Sequence, residues 1–203
     1  EHRSAPFPRS SRKSFRKLLQ IPSKEFASRH LPSVRHPGRH RFVDELAFLE
    51  LANKGVDDDG AVKGELATVL RVVAERKAPF VADYAEAWLE ENEDKKLIIG
   101  THHIEARKII VNALERFGVV EIAGTPAQNT KAETAFREDP TKRVCIANIE
   151  ASGTGLNLVS ASDMFLSEVP WTSAAFDQFK ARMDRIGQEA DKLCYTVFIA
   201  AGT

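Results

Sequence analysis

KKLIIGTHHIEARKIIVNALERFGVVEIAG, residues 95–124, decides the fold. LIIGT is a short apolar run of the length of a buried strand. IEARKIIVNALERFG then carries apolar residues at helical spacing and closes on Gly118, and VVEIAG is apolar again. The same alternation continues to the end of the chain. A helix is expected over about Ala127 to Arg137, followed by the strand RVCIAN, a glycine-rich turn, the strand DMFLSE, the helix TSAAFDQFKARMDR and the strand LCYTVFIA. Strands separated by single helices predict an α/β fold, a parallel sheet covered by helices on both faces, because each parallel connection needs a crossover and the helix supplies it. Ligands of such sheets gather at the carboxyl ends of the strands.

Upstream of Lys96 the pattern differs. Residues 41–95 read as a helical linker region: FVDELAFLELANK has helical spacing and is stopped at Gly55 by an acidic turn. A second helix is expected over Val62 to Lys77, and a third over Pro79 to Glu91 with proline in its first turn. Residues 1–40 hold five of the nine prolines and no sustained period, which predicts an irregular basic connector. Residues 1–41 contain eleven Lys or Arg against Glu1 and Glu25, a surplus of nine positive charges in a chain of zero formal net charge. Such an arm can follow phosphates or be simply solvated. The chain opens on Glu1 and a polar stretch, the start expected of a fragment or a processed product.

A hydrophobic content of 43% over 203 residues suits one sizeable core with an appendage. No run approaches the ~20 apolar residues of a membrane span, and no secretory leader opens the chain, so an intracellular location is expected. Cys145 and Cys194 both stand in apolar strand-like runs, the setting of buried thiols rather than of a disulfide or a metal site; no metal ligands are expected.

Two stretches carry candidate chemistry. NIEASGTGLNLVSASD, residues 148–163, follows a strand with a GTG that serves equally as a tight turn or as a close approach to phosphate. DQFKARMDRIGQ, residues 177–188, places Gln178, Arg182 and Arg185 at i, i+4 and i+7 of an expected helix, hence on one face. Planar guanidinium groups so aligned suit a polyphosphate; the alternative is a solvated face paired with Asp177, Asp184 and Glu189.

In their order along the chain these pieces resemble the C-terminal lobe of Swi/Snf-type ATPases of helicase superfamily two, over Lys96 to Thr203. KKLIIGTHH resembles the family's motif IV. The A-x-G-T-G-L-N-L core of motif V stands at Ala151, Gly153, Thr154, Gly155, Leu156, Asn157 and Leu158. EVPWTSAAFDQ resembles the W-N-P segment, and Gln178 through Gln188 resembles motif VI, Q-x-x-x-R-x-x-R-I-G-Q. Lys77-Ala78-Pro79 and the THH ending further resemble the annealing-helicase branch. Departures are Asp184 where histidine is usual, Ser152 for glycine, Glu150 for a basic residue, and Thr172-Ser173 for Asn-Pro.

The resemblance implies a RecA-like lobe that works on double-stranded DNA. ATP with magnesium lies between it and an N-terminal lobe that supplies the phosphate-binding loop and the acidic box. This chain has no G-x-x-x-x-G-K-[ST], so activity alone is not expected. The family position makes Arg185 the candidate arginine finger and Arg182 its partner. Gln178 and Gly155 join them on the ATP side, and Thr101, His102, Asn148, Ser152 and Thr154 are candidates for contact with the DNA backbone. The competing reading is a non-catalytic DNA-binding or interaction module that retains the fold. A dinucleotide-binding fold would need G-x-G-x-x-G at the first strand, and KLIIGTHHIEAR lacks it.

Overall fold

The computed structural model describes residues 13–21, 60–149, 156–169 and 173–200. In chain order the elements are β1 (Lys13–Ile21), α1 (Gly60–Glu91), β2 (Leu97–Thr101), α2 (Ile104–Leu114), β3 (Val119–Ile122), α3 (Pro126–Glu138), β4 (Val144–Asn148), β5 (Asp163–Leu166), α4 (Ser173–Lys180) and β6 (Lys192–Ala200). One six-stranded sheet runs β1-β6-β5-β2-β4-β3, and every pairing in it is parallel. The α/β architecture expected from the alternating runs is therefore present.

Period-two alternation splits the sheet's side chains between two cores. Ile98, Ile122, Cys145, Met164, Leu166, Val197 and Ile199 face a layer containing Phe136 of α3 and Phe179 of α4. Leu97, Ile99, Val144, Ile146, Phe165 and Phe198 face α1 and α2. Burial removes water from the Cys145 thiol and pushes its pKa up, so it is an inert core residue.

Two expectations upstream of the sheet are corrected. The helices read as Val62–Lys77 and Pro79–Glu91 are one helix of 32 residues with Pro79 in its interior. Proline costs the helix one hydrogen bond. The loss is offset by a buried stripe at helical spacing, Ala74, Ala78, Val81, Ala85 and Leu89, packed on α2 and the sheet. Lys77 is also fully buried there and donates from Nζ to the Phe198 carbonyl of β6 at 3.2 Å, which ties α1 to the sheet. Arg143 donates to the carbonyls of Leu89 (2.9 Å) and Asn92 (2.7 Å), satisfying the far end of the same helix.

Residues 13–21 also differ from the expectation. Assigned above to an irregular connector, they form β1, in register with β6 from Lys13 opposite Lys192 to Ile21 opposite Ala200. The basic residues obscured a nine-residue run, KSFRKLLQI, that holds Phe, two Leu and Ile, and the exposed edge of β6 provides the ladder that the run completes. The helix expected over FVDELAFLELANK lies outside the described residues.

Candidate functional site at the carboxyl ends of the strands

Thr101 ends β2 and Asn148 ends β4, opposite each other in register, and the Ile149 amide donates to the Thr101 carbonyl at 2.8 Å. Thr101 is completely buried and its Oγ1 has no hydrogen-bond partner. Its side chain is thus an interior group rather than a surface group. Beyond it, the partly exposed rings of His102 and His103 stand edge to face with centroids 4.8 Å apart.

Glu168, just past the end of β5, holds this turn in place. It is 5% exposed, and its Oε1 accepts from the backbone amides of His102 (2.9 Å) and His103 (3.0 Å), while Oε2 lies 2.5 Å from His103 Nδ1. Burial alone would raise the carboxyl pKa, but the bonds from the His103 ring and the two amides outweigh it and hold the pKa below the usual 4.5. His103 is the N-cap residue of α2 and makes no side-chain cap of its own; Glu168 instead bonds the amides of the two residues that lead into the helix. Sequence reading missed Glu168, whose only signal was a carboxylate ending an apolar strand.

The arginine segment departs from its expected geometry. Helix α4 stops at Lys180, and Arg182 and Arg185 lie in the turns that follow. The Arg182 amide donates to Phe179 at 3.2 Å and the Met183 amide to Lys180 at 3.0 Å, i to i−3 bonds that tighten the chain out of the helix. Gln178, Arg182 and Arg185 consequently do not share one helical face: Gln178 and Arg185 are exposed, whereas Arg182 is 8% exposed. The two guanidinium groups still feel each other. Burial first, and the Arg185 charge second, lower the Arg182 pKa.

Two contacts fix this turn to the returning end of the glycine-rich loop, and two more brace the turn itself. The Leu158 amide donates to the Arg182 carbonyl at 3.0 Å. Buried Gln188 donates from Nε2 to the carbonyls of Ala161 (2.9 Å) and Met183 (3.1 Å), and its Oε1 accepts from the Ala190 amide at 3.0 Å. Gly187 makes the bend with φ +99°, a conformation that disfavours a side chain. Gln188, read in the sequence only as part of a motif, is the staple between the two segments. Phe179 joins both halves of the site, since its ring lies directly over Gly100, the residue before Thr101. Ser152, Thr154 and Gly155 lie outside the described residues.

A wholly parallel sheet covered on both faces, with its polar residues converging at the carboxyl ends of β2, β4 and β5, defines a RecA-like lobe. Residues 80–187, more than half of the chain, match the helicase conserved C-terminal domain. The DNA annealing helicase and endonuclease ZRANB3 of Mus musculus is 27% identical over 151 residues, which cover 72% of this chain and 14% of the mouse protein. The DNA repair and recombination protein RAD54 of Saccharomyces cerevisiae is 26% identical over 173 residues, 83% of this chain and 19% of the yeast protein. The Sulfolobus solfataricus SWI2/SNF2 ATPase core domain superposes with a TM-score of 0.60 at 18% identity, over 94% of this chain and 40% of that one. The chain belongs to the helicase conserved C-terminal domain family, and its fold is that of a RecA-like lobe. It spans less than a fifth of the length of these two curated relatives. Among the described residues no helix is long and apolar enough to cross a membrane, and no group of three His, Cys, Asp or Glu stands ready to hold a metal ion.

Proposed function

We propose that this chain is the second motor lobe of an ATP-dependent translocase on double-stranded DNA, working with a first lobe that carries the phosphate-binding loop. The observation that carries this reading is the Arg182–Arg185 pair. Burial first and the Arg185 charge second lower the Arg182 pKa, and a polyphosphate placed against the pair would offset both. The residues present therefore fit ATP. Magnesium would be held by the first lobe. ATP supplies the free energy of phosphoryl transfer when bound.

What this chain contributes is positive charge at a fixed place. Arg185, exposed on the turn after α4, would serve as the finger for the nucleotide, and Arg182, whose carbonyl accepts from the Leu158 amide, would be its partner on the ATP side. Gln178 on α4 and Gly155 in the glycine-rich loop complete the ATP side. His102, Asn148, Ser152 and Thr154 contact the phosphates of one DNA strand, with Thr101 supporting them from the interior. Contacts to phosphates rather than bases give little sequence preference and strong salt dependence. Because Phe179 sits on Gly100, movement of the arginine segment on nucleotide binding is passed to the end of β2, where the DNA track begins.

The test is R185A and R182A in the reconstituted two-lobe protein. A loss of turnover in R185A of ~10³ or more with nucleotide affinity retained supports the finger; turnover equal to the unmutated protein in both variants refutes it.

A further inference from the structure

We infer that Glu168 is a positioning residue for the DNA-contact turn, holding residues 101–103 in the geometry that engages a phosphate backbone. The inference deepens the motor reading above and rests on it. Glu168 spends its carboxylate inside the protein: it is 5% exposed, and both oxygens are committed to the His102 and His103 amides and the His103 ring. A buried charge is costly unless fully hydrogen-bonded. The carboxylate bridges β5 to the end of β2, and so locks the two strand ends in relative position.

This arrangement has a consequence for DNA. The amides of His102 and His103, at the start of α2, are donors of the kind that bind anions at helix N-termini. Glu168 occupies both, so a phosphate cannot take these two amides, and the partly exposed rings of His102 and His103 stand beside the first-turn amides of α2 as the groups that can face a backbone. Their edge-to-face stacking at 4.8 Å depends on the His103 ring being held from behind by Oε2. Two residues after Glu168 the chain enters the segment leading to α4, so the same residue lies between the DNA track and the arginine turn along the chain.

The experiment compares E168A and E168Q in the two-lobe protein, with duplex DNA titrated into a steady-state ATPase assay and hydrogen exchange followed at the amides of residues 102 and 103. Glutamine keeps an oxygen for both amides; alanine keeps nothing. The expected result for E168A is at least a tenfold rise in the duplex concentration giving half-maximal turnover, with KM for ATP within twofold and faster exchange at 102 and 103. E168Q should recover most of both changes. A general loss of fold would shift KM, kcat and exchange across the sheet together, and if E168A does not fold, E168D, one methylene too short for all three contacts, reads the same quantities. An unchanged duplex dependence in E168A or E168D overturns the inference, as does a fall in kcat alone. If the unmutated protein shows no stimulation by duplex, the motor reading has failed; the exchange at 102 and 103 then still tests Glu168, and unchanged exchange overturns its positioning role.

Discussion

Replacing Gln188 by alanine removes the staple between the arginine turn and the end of the glycine-rich loop. The side chain makes three hydrogen bonds, to the Ala161 carbonyl, the Met183 carbonyl and from the Ala190 amide, at 2.9, 3.1 and 3.0 Å, and the residue is 7% exposed. At a net ~1 kcal/mol for each intramolecular hydrogen bond the substitution costs about 3 kcal/mol, and more where a backbone group is left buried without water. The Q188E variant separates the contributions. It keeps an acceptor for Ala190 but sets a second oxygen against two carbonyls, so its loss should equal or exceed that of alanine at neutral pH. Urea unfolding followed by circular dichroism measures both, with the slope checked for constancy so that a shifted midpoint reports stability. A loss below ~1 kcal/mol in Q188A would refute the assignment of Gln188 as the residue that binds these segments together.

Further outcomes are expected. A Cβ at Gly100 would lie 2.7 Å from Phe179 Cε1 and 2.9 Å from Leu166 Cδ2, both buried, so G100A should cost ~1 to 3 kcal/mol in denaturant unfolding and displace α4. Nuclear magnetic resonance shifts of the Phe179 ring would report that displacement. T101V removes a buried hydroxyl that has no partner, and should leave stability unchanged or raise it by about 1 kcal/mol. Because the Glu168 pKa is depressed in the folded state, its contribution is present above the usual 4.5 and is lost as pH falls below it through the folded value. Stability measured down the acid limb should therefore fall less steeply in E168Q than in the unmutated protein.

The sheet was legible because its strands are buried on both faces and so appear as continuous apolar runs, while its helices show helical spacing. What escaped reading required knowledge of neighbours. Pro79 marks a boundary on local grounds, and only the packing of Ala74, Ala78, Val81, Ala85 and Leu89 keeps the helix continuous through it. β1 is basic and proline-flanked, and becomes a strand only because β6 offers an unpaired edge. At the site, the spacing of Gln178, Arg182 and Arg185 projected one helical face, yet the tightened turn after Lys180 buries Arg182 and leaves Gln178 and Arg185 exposed. Glu168 and Gln188 act through contacts 65 and 27 residues away in sequence, a separation that no local pattern encodes.

The most direct measurement is steady-state ATP hydrolysis by this chain alone and mixed with a first lobe bearing the phosphate-binding loop, each with and without duplex DNA. The expected result is no turnover by the chain alone and turnover stimulated by duplex on mixing. Hydrolysis by the isolated chain, or a mixture that stays silent with duplex present, would contradict it.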